Sequence, residues 1–154
     1  MKIMFVCHGN ICRSPMAEFI MRDLISKQPK AAYISVSSSA TSREEIWNGI
    51  GNPVYPPAAA ELRKHGIDCA GKRARQVTAA DYEKYDLFVV MDDNNLRNIL
   101  RIFGSDPENK VVKLMDYTQH SRDVADPWYT GDFSKAYKDI YDGCTALLEK
   151  LTEN

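Results

Sequence analysis

Cys7 and Arg13 are separated by five residues, and Ser14 follows directly. A thiolate is a strong nucleophile, and an arginine fork can hold two phosphate oxygens at once, which lysine cannot do. The stretch Cys7-His8-Gly9-Asn10-Ile11-Cys12-Arg13-Ser14-Pro15 is therefore equipped to bind a phosphoryl group and attack it at phosphorus. Loop amides, the positive end of a following helix and Arg13 would all favour the anionic sulfur over the thiol. The oxygen that leaves must be protonated as it departs, and a positioned acid contributes roughly 10²–10⁴-fold. Asp126 is the candidate, because Pro127 holds it extended in the loop before the last helix. Asp116, Asp123 and Asp132 compete with it on position alone. A Walker-type phosphate loop is excluded, since no Gly-Lys-Ser/Thr occurs.

Regular elements must hold these groups in place. Lys2 to Val6 is a short apolar run that predicts a strand ending at Cys7. Ala17, Phe19, Ile20, Leu24 and Ile25 recur at helical spacing and predict a helix over about 15–27. Ser14 then reads as its N-cap and Pro15 as its first residue, with Gly9 supplying the tight turn. Strand, loop and helix together form an anion cradle, in which His8, Gly9, Asn10, Ile11, Cys12 and Ser14 surround the phosphate.

Tyr33 to Ser37 predicts a second strand, and the serine-rich stretch from Ser37 to Ser42 a polar loop at its C-terminal end. The long segment from Arg43 to Pro57 reads as a functional or mobile loop. Trp47 within it is either a packed anchor or the wall of a binding site. Ala58 to His65 predicts a helix stopped by Gly66, which makes His65 a C-terminal helix residue before a glycine cap. Asp86 to Met91 is a continuous apolar run suited to a central strand, and Asp92 and Asp93 read as a helix-start cluster rather than metal ligands. Val111 to Leu114 gives a fourth strand and Ser134 to Lys150 the last helix. Strands alternating with helices predict an α/β fold, a single domain over 1–154 with a four-stranded parallel sheet covered on both faces.

Composition agrees with an ordinary globular chain: 154 residues, 44% apolar, 27% charged, net charge −1. Nothing in it points to a nucleic-acid or membrane partner, and a cytoplasmic location and a monomer are expected. The four cysteines, Cys7, Cys12, Cys69 and Cys144, match no zinc spacing. No metal and no cofactor are implied, because Arg13 and the loop amides would supply the positive charge. Cys12 lies in the same curled loop as Cys7, where a reversible disulfide could shield the nucleophile from over-oxidation.

The Cys7–Pro15 loop resembles the signature loop of the low-molecular-weight protein tyrosine phosphatases, and the late Asp126-Pro127 agrees with it. The resemblance implies a flavodoxin-like sheet and a phosphocysteine mechanism acting on a phosphotyrosine protein or small aryl phosphate. The Asp126-Pro127-Trp128-Tyr129 run resembles the family's acid loop and singles out Asp126. Trp128 and Tyr129 would line the entrance. Trp128 departs from the tyrosine pair usual in the family. The resemblance also places a specificity loop around Trp47 and makes His65 part of a pocket-supporting network with Asn10, Ser14 and Ser38. An arsenate reductase would need a cysteine relay, and Cys69 stands alone between the early and late cysteines. A phosphocysteine carrier would need neither Arg13 nor Asp126. A dead phosphotyrosine-binding module would not need Cys7, Arg13 and Asp126 together.

Overall fold

The computed structural model describes residues 1–153. Apolar runs build the centre. Strand β1 (Lys2–Cys7) pairs in parallel with β2 (Ser35–Ala40) on one side and β5 (Leu87–Val90) on the other, and β5 pairs with β6 (Val111–Lys113). The sheet order is β2-β1-β5-β6. Alternation along β1 divides the core: Ile3, Phe5 and Cys7 face one layer, Met4 and Val6 the other. Helices α1 (Arg13–Ser26), α2 (Pro56–Lys64) and α5 (Phe133–Thr152) cover the first face, and α3 (Asp93–Phe103) covers the second. This is the α/β architecture expected, with a four-stranded parallel sheet between helical layers.

Three local differences bear on the site. First, β2 begins at Ser35 and runs to Ala40, so the serines are strand rather than loop. Each finds a partner that a buried strand requires: Ser37 Oγ donates to Tyr85 Oη, Ser38 Oγ to Glu18 and Ser39 Oγ to Met4 Sδ. Second, the long segment after β2 contains a hairpin of β3 (Ile46–Trp47) and β4 (Ile50–Gly51). Asn48 and Gly49, at φ 51° and 77°, make its two-residue turn. Third, α1 starts at Arg13 with Cys12 at the cap position, and no side chain caps it. Ser14 is inside the helix, and its hydroxyl is used elsewhere. Among the described residues no helix is long and apolar enough to cross a membrane.

Candidate active site

The parallel sheet brings the C-terminal ends of β1, β2 and β5 to one edge, where ligands bind in open α/β sheets. Cys7 ends β1 there and is 3% exposed. The amides of Asn10 and Ser14 donate to its sulfur at 3.3 and 3.4 Å, and Ser14 Oγ lies 3.0 Å away. Two amide donors and a hydroxyl within reach of one sulfur make an environment suited to negative charge. The loop closes through Asn10 at φ 60°, a left-handed conformation that asparagine tolerates better than most residues. The turn therefore rests on Asn10, not on Gly9. Gly9 serves a different need, because a Cβ there would come within 3.3 Å of Glu45 Cγ.

Below the loop runs a buried polar chain whose polarity can be read from one end. Glu18, on α1, is a carboxylate and only accepts. Ser38 therefore donates to Glu18 Oε1 at 2.5 Å. Ser38 Oγ in turn accepts from Asn10 Nδ2 at 2.9 Å, and the same amide nitrogen donates to Ser14 Oγ at 2.8 Å. The Ser14 hydroxyl hydrogen is left to choose between the Cys7 sulfur at 3.0 Å and the Ser39 carbonyl at 3.3 Å. Asn10 Oδ1 accepts from the Arg75 amide, which fixes the side-chain amide's orientation. Lys72 closes the chain, 3.4 Å from Glu18 and donating to the Ser38 carbonyl at 3.0 Å.

His65 is not part of this network, and that expectation is corrected. It lies exposed at the C-cap of α2 and stacks on Tyr137, with ring centroids 3.7 Å apart. The helix-end reading of His65 is the one the structure shows. Glu18 and Lys72 complete the network instead. A signal for Glu18 existed: Ser14 and Glu18 are four residues apart and fall on the buried stripe of α1.

Arg13 is 3% exposed, and its guanidinium is held from several directions. Nη1 donates to Asp92 Oδ2 and to the Val124 carbonyl, both at 2.8 Å, and Nη2 lies 3.5 Å from Asp126 Oδ2. Burial works against the charge, but Cys7, Asp92 and Asp126 outweigh it and raise the guanidinium pKa. Asp92 performs two tasks. One oxygen caps α3 by accepting from Asn95, as its position implied, and the other orients Arg13, which sequence reasoning missed. Asp126 caps the short helix α4 (Pro127–Thr130) by accepting from the Trp128 amide at 3.0 Å, with its backbone extended at ψ 112°. The competing aspartates lie elsewhere: Asp123 pairs with Lys113, Asp132 caps α5, and Asp116 accepts from Ser121.

An open pocket stands over the sulfur. The loop residues Cys7, His8, Gly9, Ile11, Cys12 and Arg13 form its floor, and Glu44, Glu45, Asp126, Trp128 and Tyr129 its walls. Asn10, Ser14 and Ser38 lie beneath the loop rather than on the pocket surface. Trp128 is steadied by Tyr55, with centroids 4.7 Å apart. Trp47 is corrected as a wall residue: it stands 72% exposed on the β3–β4 hairpin, outside the pocket lining. Glu44 and Glu45 take that side of the wall, and His8 Nε2 lies 3.0 Å from Glu44.

The two loop cysteines differ chemically. Burial, reinforced by the neighbouring Cys7, raises the Cys12 pKa and keeps it a thiol. Cys69 and Cys144 are buried away from the pocket, and burial raises their pKa as well.

Comparison with known proteins agrees with this geometry. A family model described as low molecular weight phosphotyrosine protein phosphatase matches residues 2–154. The low molecular weight phosphotyrosine protein phosphatase of Sus scrofa is 39% identical over 155 residues, covering 97% of this chain and 94% of that protein. The low molecular weight protein-tyrosine-phosphatase YfkJ of Bacillus subtilis is 38% identical over 151 residues, covering 97% of this chain and 94% of its own. The YfkJ crystal structure superposes with a TM-score of 0.91 over 98% of this chain and 94% of that one, at 37% identity. Wzb of Vibrio vulnificus, solved in complex with benzylphosphonate, gives 0.79 at 27% identity, covering 97% of each chain. A whole-length family match, relatives well above 30% identity and a shared fold all agree, and the chain belongs to the low molecular weight phosphotyrosine protein phosphatase family.

Proposed function

We propose that this enzyme hydrolyses phosphotyrosine and related aryl phosphate monoesters through a phosphocysteine intermediate on Cys7. The carrying observation is the convergence of two amide donors and the Ser14 hydroxyl on the Cys7 sulfur with Arg13 and Asp126 facing each other at 3.5 Å in the same pocket. In the first step the thiolate attacks phosphorus, and an S–P bond forms as the P–O bond to the aryl group breaks. Asp126, as the carboxylic acid, gives its proton to the departing oxygen. Arg13 and the loop amides carry the charge on the equatorial oxygens, where fixed donors stabilise the transition state most. In the second step the Asp126 carboxylate takes a proton from water, whose oxygen attacks phosphorus. The S–P bond breaks, the thiolate returns to the two amide donors and the Ser14 hydroxyl around it, and inorganic phosphate leaves.

The wall favours aryl over alkyl esters. Trp128 and Tyr129 offer flat faces beside the phosphate floor, and benzylphosphonate in the related Wzb complex carries an aromatic ring one methylene from a phosphorus oxyanion. Turnover of p-nitrophenyl phosphate without added metal, under reducing conditions, tests the reading. Activity lost in Cys7→Ser and strongly reduced in Asp126→Ala is expected. Wild-type protein that turns over no aryl phosphate would overturn it.

A further inference from the structure

The segment that delivers Asp126 has little backbone support. From Gln119 to Ala125 its one main-chain bond among the described residues runs from the Val124 amide to the Met91 carbonyl, at 2.9 Å. Side chains hold the rest. Arg122 Nη2 donates to Asp139 Oδ1 on α5 at 2.6 Å, and Asp123 pairs with Lys113 at the end of β6. Asp126 follows Asp123 by three positions, so whatever fixes Asp123 bears on where the acid stands.

Two cations cross-link the same two segments. Arg13 Nη1 joins Asp92 Oδ2 to the Val124 carbonyl, each at 2.8 Å. Lys113 Nζ joins Asp93 Oδ1 at 2.9 Å to Asp123 Oδ1 at 2.7 Å. Each partner of Lys113 is therefore the chain neighbour of a partner of Arg13: Asp93 follows Asp92, and Asp123 precedes Val124. The sheet makes this possible. Lys113 ends β6 opposite Val90 of β5, two positions before Asp92, and so lies on the same sheet edge as Cys7. Its side chain is only 15% exposed, and its pairing with Asp123 and Asp93 holds its pKa above the ordinary lysine value, so it stays charged. The two cations differ in their other duties. Arg13 lines the pocket and must also take the substrate phosphate. Lys113 lies outside the pocket lining, and nothing in the reaction competes for its ammonium.

We infer that Lys113 is a positioning residue for the reaction: joined to Asp93 and Asp123, its ammonium fixes the Asp126 segment over the phosphate loop while Arg13 is engaged with phosphate. The inference rests on the phosphocysteine reading above, with Asp126 as the acid, and adds to it a residue that never touches the substrate. Without the ammonium, Asp93 and Asp123 face each other as two carboxylates and repel. The segment shifts, and Asp126 loses its alignment with the departing oxygen. A misplacement of about 1 Å is enough to cost up to about 10²-fold in rate.

The test compares two esters that depend differently on the acid. The p-nitrophenolate oxygen of p-nitrophenyl phosphate leaves with little help from a proton, whereas the phenolate oxygen of phenyl phosphate needs one. The ratio kcat/KM covers the steps up to P–O cleavage and so reports on that proton transfer. In Lys113→Met it falls about tenfold on phenyl phosphate and about threefold or less on p-nitrophenyl phosphate. Lys113→Arg keeps both within about twofold of wild type. Asp123→Asn, a change at an exposed side chain, shows the same skew in milder form and carries the comparison by itself if Lys113→Met folds poorly. The two changes combined lose no more than Lys113→Met alone, because both cut one link. Unchanged kinetics in Lys113→Met and Asp123→Asn would overturn the inference. So would equal losses on the two esters, or losses in the two variants that simply add. In all these cases wild type still turns over both esters. Wild-type protein that turned over neither would instead remove the phosphocysteine reading and the inference with it.

Discussion

The buried carboxylate of Glu18 makes a sharp prediction. It is 3% exposed and takes three donors: the Ser38 hydroxyl at 2.5 Å, Arg22 at 2.5 Å and Lys72 at 3.4 Å. Glu18→Gln keeps the shape and removes the charge. Lys72, 12% exposed at its side chain, then loses its anionic partner and keeps only the Ser38 carbonyl. Removing one member of a buried pair costs about 3–5 kcal/mol, whereas the half-exposed Arg22 contact adds only about 0–1 kcal/mol. A loss of about 3 kcal/mol is expected, a large share of the roughly 5–15 kcal/mol that stabilises a typical domain. Lys72→Met leaves Glu18 with Arg22 and Ser38, and costs about 1–2 kcal/mol. In equilibrium urea unfolding, Glu18→Gln shifts the midpoint down by about 1–2 M and Lys72→Met by less.

Two further signatures separate this account from generic damage. The buried chain that holds Asn10 beneath the loop loses its anionic anchor, and kcat should fall about tenfold or more in Glu18→Gln. The pH dependence has a definite sign. Burial pulls the Lys72 pKa below its usual value, and Glu18 works against that pull. Without Glu18 the folded protein binds the Lys72 proton less tightly than the unfolded chain does. The unfolded state then carries more protons, so stability rises with pH, and the variant's deficit shrinks as pH climbs toward about 10. A Glu18→Gln protein with wild-type midpoint and kcat would refute the reasoning, as would a Lys72→Met protein more damaged than Glu18→Gln.

Other outcomes follow from single contacts. Gly51→Ala forces a methyl into the Ala74 backbone and should cost about 3 kcal/mol or more by urea unfolding, because backbone there cannot yield cheaply. Arg13→Lys removes the two-pronged hold on phosphate and the Nη1 bond to Asp92, and should lower kcat/KM by about 10²-fold or more, measured with p-nitrophenyl phosphate. Cys12 lines the same pocket as Cys7, and peroxide inactivation should reverse with dithiothreitol in wild type but become irreversible in Cys12→Ser. Equal recovery in both would sink that idea.

The parts legible in sequence are those set by local chemistry. The apolar run before Cys7, the five-residue spacing to Arg13 and the alternation of strands with helices carry the sheet and the cradle, because each is a short-range pattern. Asp126 was narrowed only by the proline after it and by the family resemblance. What escaped depends on partners distant in sequence. Ser38 and Ser39 look like loop residues until Glu18 and Met4 arrive to satisfy them in β2. Glu18 and Lys72 are 54 positions apart, and nothing local joins them. The hairpin carries a local signal of its own: Asn48-Gly49 between Ile46-Trp47 and Ile50 is a strong two-residue turn signal. That signal places Trp47 on a strand opposite Ile50.

The central claim is a covalent bond between Cys7 and phosphorus. Asp126→Ala lacks the group that activates water for the second step, so the intermediate should accumulate. The direct measurement is acid quenching of Asp126→Ala during turnover of p-nitrophenyl phosphate, followed by mass spectrometry of the peptides. The account predicts the mass of one phosphoryl group on the peptide carrying Cys7, absent when Cys7 is changed to serine. Turnover with no such adduct, or an adduct on another residue, would contradict it.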